Sequence, residues 1–279
     1  MSAQTKTVKP RSGSAARAAS SQPPATSPPT GVQAVQTALH LLETVAEHEG
    51  FGMSELAARA GLTHNQTHRL LATLETCGYV SREADRSYHL GPKIALLGRS
   101  DQRYRELLRA AAQPMDALSA LSGESILLAV RSGYERVVID RRVGTHSLRV
   151  DWDIGSRLPL HVGGLGVALL AFAPVGVLEG LLKRERHAFT TKTLTKESAL
   201  RAELERVRGA GLRVSVDDYA LGEFSVAAPV LNRKREAVAA VNIAGFTARL
   251  TAEKRDAYGT AVREAAMRIA AALEESSSS

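Results

Sequence analysis

Ser54-Glu55-Leu56-Ala57-Ala58-Arg59-Ala60-Gly61-Leu62-Thr63-His64-Asn65-Gln66-Thr67-His68-Arg69-Leu70-Leu71 decides the fold of the first third of the chain. Leu56, Ala57 and Ala60 make a small apolar stripe at helical spacing, with alanine where a second helix can approach closely. Gly61 suits the left-handed residue that ends a helix, because it has no Cβ to clash. Thr63 suits the N-cap of a second helix whose apolar face is Leu70, Leu71 and Leu74, with Thr67 one turn earlier. Two short helices across a tight turn make a helix-turn-helix, and the second carries His64, Asn65, Gln66, His68 and Arg69 around its first turns. Asn and Gln match adenine edges, Arg matches guanine or phosphate, and a helix N-terminus favours phosphate. Taken alone, the same pattern also fits the solvated face of an ordinary helical hairpin.

The flanking sequence favours DNA. Cys77-Gly78 ends the helix, Tyr79–Arg82 reads as a strand, Glu83–Arg86 as a turn, and Ser87–Leu90 as a return strand. A hairpin directly after a helix-turn-helix is a wing, on which Arg82 and Arg86 are placed to reach phosphates beside the groove. Upstream, Val32 to Glu49 supplies a first helix with Val35, Leu39, Leu42 and Val45/Ala46 as its apolar stripe. The expected partner is double-stranded DNA.

Charge does not account for that partner. The formal net charge is +7, but residues 1–30 hold Lys6, Lys9, Arg11 and Arg17 with no acid. Residues 31–99 carry six basic and seven acidic side chains, so attraction to DNA rests on where Arg59, Arg69, Arg82 and Arg86 stand. The Ser-, Ala-, Pro- and Thr-rich segment 1–30 has no apolar signal-peptide core and reads as a disordered tail. The single cysteine, Cys77, excludes an intrachain disulfide and a cysteine-rich zinc site and fits a reducing cytoplasm. No apolar run approaches the roughly 20 residues of a membrane span; Gly163–Leu182 is interrupted by glycines and Pro174.

Beyond residue 100 the pattern changes. Pro92–Arg99 reads as a linker helix and Asp101–Leu121 as a further helix kinked or divided at Pro114. Ile126–Val130, Val137–Asp140 and Leu148–Trp152 read as strands. Helices follow at Gly163–Ala171, Val175–Lys183 and from Thr195 with Leu200, Leu204 and Val207 buried. Strands return at Leu212–Val216, Ser225–Val230 and Val238–Ile243, before a last helix from Thr251 to Leu273. The expected fold class is α+β: an all-α winged helix-turn-helix domain over 31–91, a linker helix over 92–102, and a mixed α/β domain over 103–276.

Thr63–Leu71, Gly78-Tyr79-Val80 and Tyr88-His89-Leu90-Gly91-Pro92 resemble the DNA-binding half of the IclR family of bacterial transcription regulators. Gly155-Ser156-Arg157-Leu158-Pro159-Leu160-His161, Val207–Gly211 and Gly222–Val230 resemble its second half, so the likeness covers about 31–275. The resemblance implies a GAF-like or profilin-like C-terminal domain that binds a small effector, and a homodimer or dimer of dimers. Its pocket, carried over by motif, comprises Gly164, Leu165, Ser215, Asp217, Ser225, Asn242 and Ala244. Glycine-rich helix starts suit a carboxylate, although Gly163, Gly164 and Gly166 taken alone also fit close packing. This chain has Val167 where the family usually has Lys, Ser225 where Cys is frequent, Ala244 where Ser is frequent, and Thr67 where Val is usual. His64-Asn65-Gln66 replaces a more common Lys-Ser-Thr type of run.

An enzyme or ligand carrier using the helix-turn-helix as a scaffold is the competing class. His161 with Asp151, Asp153, Asp217 or Asp218 is its candidate acid/base or metal set. No HExxH spacing, nucleophile elbow or phosphate-binding Gly-Lys loop is present, and Gly163–Gly166 lacks dinucleotide-site spacing. The expectation is a regulator, not an enzyme, with no catalytic residues, cofactor, metal or membrane partner.

Overall fold

The computed structural model describes residues 32–100 and 102–276; the tail assigned to 1–30 lies outside them. The chain forms two compact units that divide between Arg105 and Glu106.

In the first unit, α1 (Gln33–Glu47) precedes a two-residue strand β1 (Phe51–Gly52), α2 (Met53–Ala60) and α3 (His64–Thr76). Strands β2 (Val80–Arg82) and β3 (Ser87–Leu90) follow, and the antiparallel order is β1-β3-β2, with Tyr88 opposite both Phe51 and Arg82. The wing therefore has a third strand that its sequence does not advertise. Leu41, Val45, Leu56, Ala60, Leu71, Leu74, Val80 and Tyr88 form the core. On α1 the stripe anticipated from Val35, Leu39, Leu42 and Val45/Ala46 is corrected: Leu41, Thr44 and Val45 are buried, whereas Val35 and Leu39 are 55% and 53% exposed. Thr44 is tolerated inside because its hydroxyl donates to His40 O at 2.8 Å.

Helix α4 (Pro92–Ser100) and α5 (Gln102–Ser122) follow, and α5 runs through Pro114 undivided. Ala111 and Met115 on either side of the proline are fully buried, so packing outweighs the lost backbone hydrogen bond. The second unit is built on one antiparallel sheet. Its strands are β4 (Ser125–Ser132), β5 (Glu135–Arg142), β6 (Arg157–Pro159), β7 (Arg213–Val216), β8 (Glu223–Leu231) and β9 (Ala237–Phe246), in the order β6-β5-β4-β9-β8-β7. Alternation sorts the side chains into two layers. Ile126, Leu128, Phe224, Val226, Val241 and Ile243 pack with α5 and α9 (Ala252–Ser276). Leu127, Ala129, Ala227, Ala240 and Ala244 face the layer of α6 (Gly163–Ala171), α7 (Val175–Leu182) and α8 (Glu197–Ala210).

The expected strand at Leu148–Trp152 does not form; the sheet takes Arg157–Pro159 instead. Side chains hold that backbone in place of a ladder. Ser125 Oγ donates to Val150 O at 2.5 Å, and one nitrogen of Arg141 reaches Asp151, Trp152 O and Asp153 at 2.8–2.9 Å. Val150 and Trp152 are still buried, so the alternation reported burial rather than strand pairing.

Candidate functional site

The turn before α3 is closed from both sides. Gly61 sits at φ +64° as the C-cap of α2, where a side chain would be strained. Thr63 caps α3: its hydroxyl accepts the Gln66 N–H at 3.3 Å, while Gln66 Oε1 accepts the Thr63 N–H at 3.1 Å. This capping box uses up the carbonyl of Gln66. Gln66, expected as a base reader, is thus folded back onto the turn, because the unsatisfied N–H of the helix end is its nearest donor. Thr67 is buried and donates to Thr63 O at 3.0 Å.

His64, Asn65, His68 and Arg69 remain exposed on one side of α3. Asn65 and Arg69 are one turn apart, as are His64 and His68, so each pair shares a stripe. On the wing, Arg82 and Arg86 are exposed. Arg82 lies 5.6 Å from the Tyr88 ring centre, and Arg86 adopts φ +69° at the hairpin turn. Asp85 accepts both the Ser87 N–H and its hydroxyl, at 2.9 and 2.6 Å, which fixes that turn. The first unit therefore displays one helix N-terminus and two arginines on a short hairpin, without a net basic surface.

A second concavity opens on the α6 side of the sheet. It is lined by residues including Gly164, Leu165, Ser215, Ser225, Asn242 and Ala244, with Arg136, Trp152, Tyr219 and Glu223 among the others. Gly164 makes room for Ser225: an added Cβ would stand 2.4 Å from Ser225 Oγ. That hydroxyl accepts from Asn242 Nδ2 at 2.7 Å, and Asn242 Oδ1 accepts the Leu127 N–H at 3.1 Å. The first N–H groups of α6 have no intrahelical acceptor. Gly163 donates its own to Asp218 Oδ2 at 3.2 Å; Gly164 and Leu165 follow it along the pocket wall.

Of the seven pocket residues expected, Asp217 is not brought there. Its φ is +58°, and its carboxylate is turned to the Gly222 N–H at 2.7 Å and Lys192 Nζ at 2.9 Å. Those two partners hold its carboxyl below the usual carboxylate range. The neighbouring Asp218 lines the pocket instead and is 3% exposed. Its Oδ2 accepts from Arg213 Nη2 at 2.5 Å and Ser215 Oγ at 3.2 Å. Burial pushes the Asp218 carboxyl up, opposed by Arg213, Ser215 and the Gly163 amide.

Arg136 is the residue that the motif reading missed. It is 4% exposed, its Nη1 is buried without a hydrogen-bond partner, and its guanidinium lies 4.8 Å from the Trp152 ring centre. Desolvation lowers its pKa to about 10. Period-two alternation carries the signal: Arg136 shares the buried face of β5 with Val138. Burial alone raises Glu223, and burial is the largest influence raising Tyr219. Of the acids considered beside His161, Asp218 lies within its electrostatic reach, without a hydrogen bond to it, and is already paired with Arg213. His161 is buried and its Nε2 lies 3.0 Å from His187 O, while Asp151 and Asp153 are paired with Arg141.

Two family models match the chain: the IclR helix-turn-helix domain over residues 34–84 and the bacterial transcriptional regulator IclR C-terminal domain over residues 103–271. Over 251 residues the chain is 34% identical to the transcriptional repressor IclR of Escherichia coli K12, covering 88% of this chain and 92% of the repressor. The crystal structure of Thermotoga maritima IclR matches with a TM-score of 0.68 at 27% identity, over 86% of this chain and 98% of that one. An IclR homologue from Microbacterium hydrocarbonoxydans, solved in complex with 4-hydroxybenzoate, shares the fold with a TM-score of 0.69 at 24% identity, over 87% and 99% of the two chains.

Proposed function

The chain belongs to the IclR family of bacterial transcription regulators, and on that premise we propose that it reads one operator through α3 and the wing under control of a small carboxylate. The observation that carries the DNA half is the capped start of α3, with Asn65, His68 and Arg69 exposed beside Arg82 and Arg86. Asn65 and Arg69 contact base edges; His64 and His68 border them; Arg82 and Arg86 hold phosphates and set register. Gln66 contributes through the cap that orients them. The effector half rests on the pocket of Gly164, Leu165, Ser215, Ser225, Asn242 and Ala244, where a helix N-terminus favours an anion.

The working unit is a homodimer or a dimer of dimers. Val32, the N-cap of α1, with Val35 and Leu39 on the helix leaves an apolar row 53–70% exposed, and at i, i+3 and i+7 they share one face. A second copy of the chain is the occupant that also supplies the paired recognition helix of a two-fold operator. Effector binding biases one arrangement of the linker helix, and so the spacing of the paired helices; a coupling of about 1–3 kcal/mol is typical. The regulator acts on chromosomal DNA in the cytoplasm.

Selection of genomic fragments on the purified full chain tests this reading. One recurrent sequence with inverted half-sites is expected. Asn65→Ala should relax the preference at one position, and Arg69→Ala should weaken binding and flatten its salt dependence. Equal retention of genomic and random duplex, with and without small carboxylates, overturns it.

A further inference from the structure

We infer that Arg136 is the charge-recognising residue of the pocket and binds the carboxylate of a small anionic effector beside the Trp152 ring. The inference rests on reading this pocket as the effector site, and deepens it by naming the group that selects an acid over its neutral analogues. Two buried arginines make the contrast. Arg213, whose side chain is 5% exposed, is held by Asp218 at 2.5 Å and Glu203 at 3.0 Å. Arg136 is buried to the same degree, yet no ion pair to it exists among the described residues and its Nη1 has no acceptor at all. A cation in that position costs free energy unless an anion joins it.

The surroundings are arranged for that anion. Trp152 covers the guanidinium at 4.8 Å, which leaves the N–H edges as the binding direction. Gly164 and Leu165, in the first turn of the nine-residue α6, line the same cavity, as do the hydroxyls of Ser215 and Ser225. Two carboxylates also line it. Asp218 is taken by Arg213, and Glu223 makes no ion pair with Arg136. A planar carboxylate accepting from Arg136 supplies the missing charge, and the apolar walls of Leu127, Val150 and Leu158 take its short carbon chain. An amide or aldehyde of the same shape leaves the guanidinium uncompensated.

The test uses the full chain, its Arg136→Met and Arg136→Lys variants, and two probe sets at constant ionic strength in chloride. The acids are formate, acetate, propionate, butyrate and benzoate; the controls are acetamide, propionamide and benzamide. At least one acid should raise the melting temperature of the unsubstituted protein saturably, and no amide should. Arg136→Met should bind that acid roughly 10–100-fold more weakly, while Arg136→Lys retains part of the response. Without ligand, Arg136→Met should melt at or above the temperature of the unsubstituted protein, because an uncompensated charge has been removed. Unchanged acid binding in Arg136→Met, amides as effective as acids, or no response to any acid overturns the inference. So does a ligand-free Arg136→Met that melts well below the starting protein, which marks a structural arginine. Genomic-fragment selection run beside it separates the readings: operator preference without an acid response sinks this inference alone, and absence of preference sinks the regulator.

Discussion

Gly164→Ala tests whether the pocket wall is built around a missing side chain. The new Cβ would stand 2.4 Å from Ser225 Oγ, 3.0 Å from Ser225 Cβ and 3.1 Å from Ala227 Cβ. Ser225 cannot turn away without giving up the Asn242 bond of 2.7 Å, a loss of about 1 kcal/mol. Overpacking adds about 1–3 kcal/mol. Against both stands a gain of about 1 kcal/mol from replacing glycine in a helix. The net expectation is a loss of about 1–3 kcal/mol. Ser225→Ala alone should cost about 1 kcal/mol, for the hydrogen bond. Made together with Gly164→Ala, it removes the closest clash, so the two losses should fall short of additivity by about 1–2 kcal/mol. Urea unfolding followed by fluorescence of the single tryptophan, Trp152, reads the unit concerned, since that side chain lines the same cavity. A fully stable Gly164→Ala, or strictly additive losses, refutes the packing argument.

Leu39→Glu should lower the oligomeric state in sedimentation while leaving the fold intact, because the side chain is 53% exposed and outside the core; an unchanged assembly refutes the use of that face. His161 gives a pH dependence. Burial holds its imidazole below the ordinary range, so the unfolded chain takes up this proton more readily than the native one. Its contribution is complete above the unfolded value of about 6.5 and is lost progressively as pH falls from there through the lowered native value. Urea midpoints at pH 7, 6 and 5 should therefore decline less steeply for His161→Gln than for the unsubstituted protein; parallel declines refute the assignment.

The fold was most legible where burial has one cause. In β4, β8 and β9 the alternation of side chains is imposed by a helical layer on each face, and short apolar runs announce it. In α2 and α3 the stop at Gly61 and the cap at Thr63 are local chemistry. Legibility failed where a pattern had a cause elsewhere in space. Val35 and Leu39 form a true apolar stripe, but among the described residues no segment of their own unit covers it. Leu148–Trp152 alternates because Val150 and Trp152 are buried, yet Ser125 and Arg141 anchor its backbone. The pocket shows the same limit at single-residue scale. Asp217 and Asp218 are adjacent acids, and only the left-handed backbone at 217, φ +58°, sends one outward to Lys192 and leaves the other inside. No local signal in Val216-Asp217-Asp218 distinguishes them.

Arg136 also connects the pocket to the regulatory effect. Burial lowers its pKa to about 10 and so disfavours the charged form. An anion paired with the guanidinium would offset that cost. A ligand shifts an equilibrium only through unequal affinity for its two states. An acid held by Arg136, as proposed, would shift such an equilibrium only if the arrangement with Trp152 over the guanidinium bound it with a different affinity. Trp152 is held by a segment whose backbone is tied to the sheet by Ser125 and Arg141 rather than by a strand ladder. These side-chain bonds, rather than a strand ladder, set where Trp152 stands over Arg136.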